Sequence, residues 1–405
     1  MKTLTFLKTH IIHPVLNLES AIQDKAGKSS HLLFYAGGII LAILLRILLF
    51  DFETLDYQNF LSPWYDFIKE NGGFPALGKD FSNYSPPYLY LLLLAVYLPL
   101  KKLYAIKLIT VLFDIAAAVL VFLIVRRKYR SFVIPAAASL VFLFTPTVFI
   151  NSSMWGQCDI IFTFWILASV LFLIRRDYLK AFIFFGIAFS FKLQAVFFLP
   201  VFAILYFRRR FPFCYFFIIP AVYIILSVPC LIAGRPFVEI LGIYTEQTSV
   251  YQWLTINAPS VYQWVSAYTD MINTAAVVFC AAVLLFTGFI CSRALKDDKG
   301  DNIIRLSLLS LLIVPFLLPQ MHERYFFPAD VLSVIYAFYF PKYFYVPVLV
   351  VLSSYFSYYN YLYSGHEPVI KLSWLALVLL VSIIIVCREM YLNSFGVKIK
   401  DRLRN

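Results

Sequence analysis

Charge is what this chain has least of. Only 14% of its 405 residues are Asp, Glu, Lys or Arg, against roughly 25% in a soluble globular protein. With 62% hydrophobic residues and a mean hydropathy of +0.82, that shortage excludes an ordinary soluble domain. Neither a separate soluble domain nor an internal repeat is visible. A Gly-rich phosphate loop, a nucleophile elbow and a Cys/His metal pattern are all absent, which removes three common signatures of enzyme chemistry. His322-Glu323-Arg324-Tyr325 begins like a zinc-protease HExxH, but Phe326 stands where the second His belongs. The six cysteines (158, 214, 230, 280, 291 and 387) form no CxxC pair and read as small buried hydrophobes. The first thirty residues lack an apolar signal core, so segment 1–31 is expected to stay in the cytoplasm.

What the chain does have is apolar runs of about 20 residues, recurring from position 32 to 387, the length that crosses a bilayer core of about 30 Å. They define an all-α, polytopic transmembrane helical protein; a β-barrel would show short alternating segments instead. The formal charge is +12. Its basic excess is assigned to cytoplasmic turns at Arg126–Arg130, Arg175-Arg176 and Arg208–Arg210, the loop 292–305 and the tail 388–405. Anionic lipid heads, not nucleic acid, are the expected counter-charge.

The first span, 32–50, leads into Asp51–Pro87, where six carboxylates meet only Lys69 and Lys79. With the N-terminus inside, this acidic loop lies outside. Parity then makes 88–100 a re-entrant or interfacial helix and 103–125 a crossing, which leaves Lys101, Lys102 and Lys107 near the outer surface. The alternative, that both runs cross and the downstream topology is inverted, stays open. Between Arg176 and Arg208 two half-helices are expected to meet near Lys192–Gln194, a break tolerated at depth only beside a cavity or inside protein. A second outer loop, 234–270, carries Tyr244, Tyr251, Trp253, Tyr262 and Trp264. Outer turns follow at Pro319–Tyr325 and Ser364–Pro368, between spans 306–319, 328–340, 343–362 and 371–387. The count is about twelve crossings in one integral-membrane domain, both ends inside.

In this topology the unusual polar clusters share the outer face, and ionisable groups within a membrane protein mark function. Asp51 and Asp56 sit where the first span leaves the bilayer, where partial burial suits a general base. Phe60, Trp64 and Phe67 recur at helical spacing, as in an interfacial helix. Asp159, after Trp155-Gly156-Gln157, either positions a sugar hydroxyl or cation, or is a helix N-terminal acid. Lys192, beside Gln194, needs a lipid phosphate or a carboxylate. Arg324 with His322 suits a phosphate leaving group, or Arg324 pairs with Glu323. Asp114 and Arg46 read as a mutual pair. A transporter or lipid-linked sugar flippase, which also uses broken helices and buried charge, is the rival reading.

Asp56 after the first span, Asn83-Tyr-Ser-Pro-Pro-Tyr88, Trp155-Gly-Gln-Cys-Asp159, Phe191-Lys-Leu-Gln194 and Gln320-Met-His-Glu-Arg-Tyr325 together resemble the GT-C glycosyltransferases. Within them the set is similar to bacterial mannosyltransferase-like proteins related to the second mannosyltransferase of GPI-anchor synthesis. The resemblance implies a polyprenyl-phosphate sugar donor (mannose as first guess), a glycan or glycolipid acceptor, and inversion. It also implies an active site on the periplasmic side of a bacterial inner membrane. It maps the catalytic Asp to Asp56. Asp51, Glu53 and Asp56 depart from a clean Asp-x-Asp spacing, which leaves open both the choice between Asp51 and Asp56 and any need for a divalent cation (Mg or Mn). Arg324, His322, Lys192 and Lys107 would hold the donor phosphate. Asp159, Gln157, Trp155, Gln194, Tyr84, Glu323 and Tyr325 would contact substrate, and the aromatics of 244–264 would stack on acceptor sugars or form a membrane-interface belt.

Overall fold

A proline sets the first of the two breaks that matter most. Thr145, held extended (φ −65°, ψ 122°) before Pro146, cannot continue the preceding helix, because the proline ring crowds the α conformation of its neighbour. Val133–Leu143 (α5) and Pro146–Trp155 therefore form a helix pair bent by 52°, the shape of a broken span or a re-entrant loop. Pro200 lies in the first turn of a helix, where a missing N–H costs nothing. Upstream of it α7 (Tyr178–Phe191) stops at an extended Lys192, and a 3-10 turn, Leu193–Phe198, leads into α8 (Leu199–Phe207). The two half-helices expected around Lys192–Gln194 are present.

The computed structural model describes residues 13–249, 253–265, 270–294, 300–363 and 368–402. Tyr251 and most of the outer turn expected at Ser364–Pro368 lie outside them. The chain divides into two compact units, Met1–Leu45 and Arg46–Asn405. The first, from His13 on, is helical (α1, His13–Ile47). In the second, the helices that carry the site are α2 (Ser62–Glu70), α3 (Pro86–Val96), α4 (Lys102–Arg126) and α6 (Asp159–Ile174). Next come α9 (Ile218–Ile232), α10 (Phe237–Ser249), α11 (Asp270–Ala294) and α12 (Gly300–Leu317). The set ends with α13 (Phe327–Tyr339), α14 (Tyr345–Leu362) and α15 (Leu372–Arg402).

Among the described residues, five helices are long and apolar enough to cross a membrane, or six with the bent pair. The rest of the expected count of about twelve rests on shorter helices. The protein is all-α and polytopic. Its only described strands are two residues each, β1 (Thr255–Ile256) and β2 (Met321–His322), paired in parallel.

Two expected loops are folded. Segment 51–87 contains a helical stretch from Tyr57 to Glu70 and a 3-10 turn, Phe74–Gly78. Trp64 is buried and its ring lies 5.1 Å from Tyr84, while Phe60 is exposed. The helix is thus partly packed into the protein. Segment 234–270 contains α10, whose buried Ile240 and Ile243 supply a helical stripe that a reading by aromatic content passed over. Cys158, Cys230 and Cys280 are buried as expected, but Cys214 is exposed. Arg46 and Asp114 do pair: Arg46 Nε lies 2.7 Å from Asp114 Oδ2, both fully buried. Ser152 Oγ also donates to that oxygen at 2.6 Å, which ties α4 to the bent helix pair.

Candidate active site

The bent helix pair ends in a π turn, Ile150–Trp155, closed by Gly156 at φ +76°, a left-handed conformation that only glycine adopts without strain. This turn aims Trp155 and Gln157 at one carboxylate. Asp56 Oδ2 accepts from Trp155 Nε1 at 2.9 Å and from Gln157 Nε2. Its Oδ1 accepts from Tyr361 Oη on α14 at 2.5 Å. The Trp155 indole is stacked on the Tyr361 ring, 5.0 Å between centroids at 19°.

Arg324 is the hub. Its Nη2 lies 3.8 Å from Asp56 Oδ2, its Nη1 3.9 Å from Asp159 Oδ2, and its Nε 3.4 Å from Glu323 Oε1. Nη1 also donates to Gln157 Oε1, and the guanidinium sits 5.1 Å over the Trp155 ring. Asp159 in turn accepts from Lys192 Nζ at 2.5 Å and from Asn151 Nδ2 at 2.8 Å. The extended backbone at the α7–α8 break is what brings Lys192 to that carboxylate. Gln320, in a left-handed conformation (φ 63°), turns the chain out of α12 so that β2 can pair with β1 and present His322–Tyr325.

Burial sets the protonation of this segment. The Glu323 carboxyl is pushed up to about 7 by desolvation, with Arg324 pulling the other way. His322 is held down to about 3 by burial and by the Arg324 and Lys192 charges, so at neutral pH it hydrogen-bonds as a neutral ring. Arg324 stays charged, its carboxylate neighbours outweighing desolvation.

A cavity of about 400 Å³ opens on this cluster. Tyr84, Lys192, Gln194, His322, Arg324 and Tyr325 line its polar side; Phe191, Val196, Phe197, Val277 and Leu318 line its apolar side.

Eleven of the expected residues thus meet at one place: Asp56, Tyr84, Trp155, Gln157, Asp159, Lys192, Gln194, His322, Glu323, Arg324 and Tyr325. Two do not. Asp51 is exposed and accepts a hydrogen bond from Tyr104. Lys107 is buried, and its Nζ donates to the backbone carbonyls of Leu49, Phe50 and Phe52 at 3.2, 3.0 and 2.5 Å. That ammonium closes the carbonyl end of the first span and has no donor left for a phosphate. Lys107→Met leaves those carbonyls unsatisfied and is expected to destabilise the fold by about 1–3 kcal/mol, read as a lower melting temperature in detergent.

Sequence reading missed Tyr361. It stands in Tyr355-Phe-Ser-Tyr-Tyr-Asn-Tyr361, where nothing separates one tyrosine from the next. No group of three or more His, Cys, Asp and Glu is arranged to hold a metal ion among the described residues. The guanidinium of Arg324 lies between the site's carboxylates. The donor set does not fit a divalent cation.

A buried carboxylate thus lies beside a cationic, part-apolar cavity in a multi-spanning membrane protein. The chain belongs to glycosyltransferase family 87, whose family model matches residues 81–319. No curated protein matches it. Asp56, the His322–Tyr325 segment and Tyr361 fall outside the matched stretch.

Proposed function

We propose that this glycosyltransferase moves a hexosyl group, mannosyl as first choice, from a polyprenyl-phosphate sugar to a hydroxyl of a glycan or glycolipid acceptor. Transfer proceeds with inversion, and Asp56 is the general base. The active site faces the periplasmic side of a bacterial inner membrane. One observation carries the reading: the Asp56 carboxylate and the cations of the cavity are joined through one side chain, Arg324. An amphiphilic donor suits the two-sided lining, with its phosphate at Arg324 and Lys192 and its first prenyl units against Phe197, Val277 and Leu318.

The reaction is a single displacement. The acceptor oxygen forms a bond to the anomeric carbon as its proton passes to Asp56. The bond from that carbon to the phosphate oxygen breaks, and the electron pair leaves with the lipid phosphate. Arg324 and Lys192, already oriented by Asp56 and Asp159, meet the growing charge. Neutral His322 adds a hydrogen bond. Asp51, exposed at the surface, has none of this company, which supports Asp56 as the base. The transporter reading calls for charges spread through the membrane and is not favoured by membership of a glycosyltransferase family.

The test is transfer by the purified protein from synthetic polyprenyl-phosphate hexoses and, separately, from nucleotide sugars, to octyl hexosides. Turnover of the lipid donor alone, giving a product of inverted anomeric configuration by NMR, supports the proposal. Use of the nucleotide sugar, retention, or no transfer at all sinks it.

A further inference from the structure

The two oxygens of Asp56 have different company, and Arg324, beside Oδ2, lines the cavity already described. Oδ2 points to Trp155, Gln157 and Arg324; Oδ1 points to Tyr361. Beyond Tyr361 lies a second, smaller cavity of about 120 Å³, lined by Glu53, Thr54, Leu55, Gln58, Tyr361 and Leu362. Among the described residues it shares no lining residue with the larger one. The chemistry of the two also differs. The larger is edged by Lys192 and Arg324; the described lining of the smaller has one carboxylate, Glu53, and no cation. Its wall is fixed to the site: Thr54 Oγ1 donates to the Trp155 carbonyl at 3.2 Å, and the Tyr57 amide donates to Thr54 Oγ1 at 3.3 Å. Gln58 Nε2 lies 3.4 Å from Glu53 Oε2.

We infer that this second cavity is the acceptor subsite, that it takes an uncharged sugar, and that Tyr361 is a positioning residue holding Asp56 Oδ1 toward it. The inference rests on the proposed displacement. Inversion requires the nucleophile to approach the anomeric carbon from the side opposite the leaving phosphate. With the phosphate at Arg324 and Lys192, the acceptor arrives from the Oδ1 side. A carboxylate oxygen has two lone pairs, and Tyr361 uses one on Oδ1; the other is left for the acceptor hydroxyl. Glu53 and Gln58 supply the acceptors and donors that sugar hydroxyls need, in a cavity with few polar groups to set orientation. Glu53 also repels a phosphorylated acceptor. The proton of the acceptor hydroxyl goes to Asp56, and Tyr361 keeps its own.

Gln58→Trp and Leu362→Trp each fill the cavity without touching the phosphate side. Each is expected to raise the acceptor KM about tenfold or more, equivalent to about 1.4 kcal/mol, with the donor KM within about twofold of wild type. Octyl hexosides serve as acceptors and a synthetic polyprenyl-phosphate hexose as donor. Glu53→Gln, a nearly isosteric change, is expected to improve use of a 6-phosphorylated octyl hexoside relative to the neutral one. Tyr361→Phe is expected to lower kcat with little change in donor KM. Its melting temperature is expected to stay close to that of the wild type, whereas a purely structural tyrosine would lower the melting temperature and leave kcat of the folded protein in place.

Unchanged acceptor KM in both tryptophan variants, with donor KM also at the wild-type value, overturns the subsite. An unchanged kcat in Tyr361→Phe overturns the positioning role. If a tryptophan variant does not fold, Glu53→Gln decides, and an unaltered preference for the neutral acceptor counts against the subsite. Full activity of Asp56→Asn would instead bring down the reaction on which the inference depends.

Discussion

Asp56→Asn is expected to lower kcat by about 10²–10⁴-fold, the range that a positioned general base contributes. The argument is one of lone pairs. Trp155, Gln157 and Tyr361 all donate to the Asp56 carboxylate, and a carboxylate accepts on both oxygens. Asparagine keeps one oxygen to accept from Trp155 and Gln157, and its amide donates to Tyr361 Oη, since a phenol oxygen also accepts. The variant keeps the hydrogen-bond frame and loses the proton acceptor. A melting curve close to that of the wild type is expected, so that the loss falls on turnover. Asp66→Asn is the control. Asp66 is half-exposed and bridges Lys102 at 2.6 Å, a surface pair worth at most about 1 kcal/mol, and is expected to retain activity. Comparable turnover in the two variants would remove Asp56 from the chemistry.

The parts of this site that the sequence makes legible are those marked by a local irregularity. A lysine in an apolar run signals the break at Lys192, because an ammonium there needs a partner; the partner is Asp159. Trp155-Gly-Gln-Cys-Asp159 signals a turn, because glycine interrupts a span. The acidic stretch after the first span marks Asp56, although sequence spacing alone leaves it level with Asp51. Burial separates them: Asp56 is packed against Trp155, and Asp51 is exposed.

Other features leave no local trace. Lys107 looks like a phosphate ligand from its position near Lys101 and Lys102, yet its ammonium is satisfied by carbonyls some 55 to 58 residues away in sequence. Tyr361 is one tyrosine among many, and its role arises from a contact 305 residues distant. α10 is hidden because its polar and aromatic content resembles that of a loop, while the stripe of Ile240 and Ile243 is short. Pairings over such separations are set by packing, and packing is not written in any window of the chain.

Arg324→Ala is expected to have the largest effect on the fold as well as on turnover. The guanidinium lies within 4 Å of three largely buried carboxylates, on Asp56, Asp159 and Glu323. Removing it leaves them with Lys192, which is already held by Asp159. Breaking a buried ion pair by deleting one partner costs about 3–5 kcal/mol, enough to remove much of a stability of about 5–15 kcal/mol. Arg324→Lys restores one charge but not the geometry. An ammonium cannot reach the Asp56, Asp159 and Glu323 oxygens together or lie flat over Trp155, so stability is expected to recover more than kcat.

The pH dependence of stability gives an independent reading of the same cluster. Glu323 titrates near 7 in the fold against an ordinary value of 4.5, so the folded protein holds that proton more tightly than the unfolded chain. Its contribution is full below 4.5 and is lost as the pH rises through about 7. Arg324 is the group that limits the rise. In Arg324→Ala the Glu323 proton is therefore held to still higher pH, and in Glu323→Gln there is no proton to lose. Melting temperatures measured from acid to mildly alkaline pH are expected to fall through neutrality in the wild type and to stay flatter in Glu323→Gln. Equal slopes in the two proteins would show that the Glu323 carboxyl is not held protonated by this site.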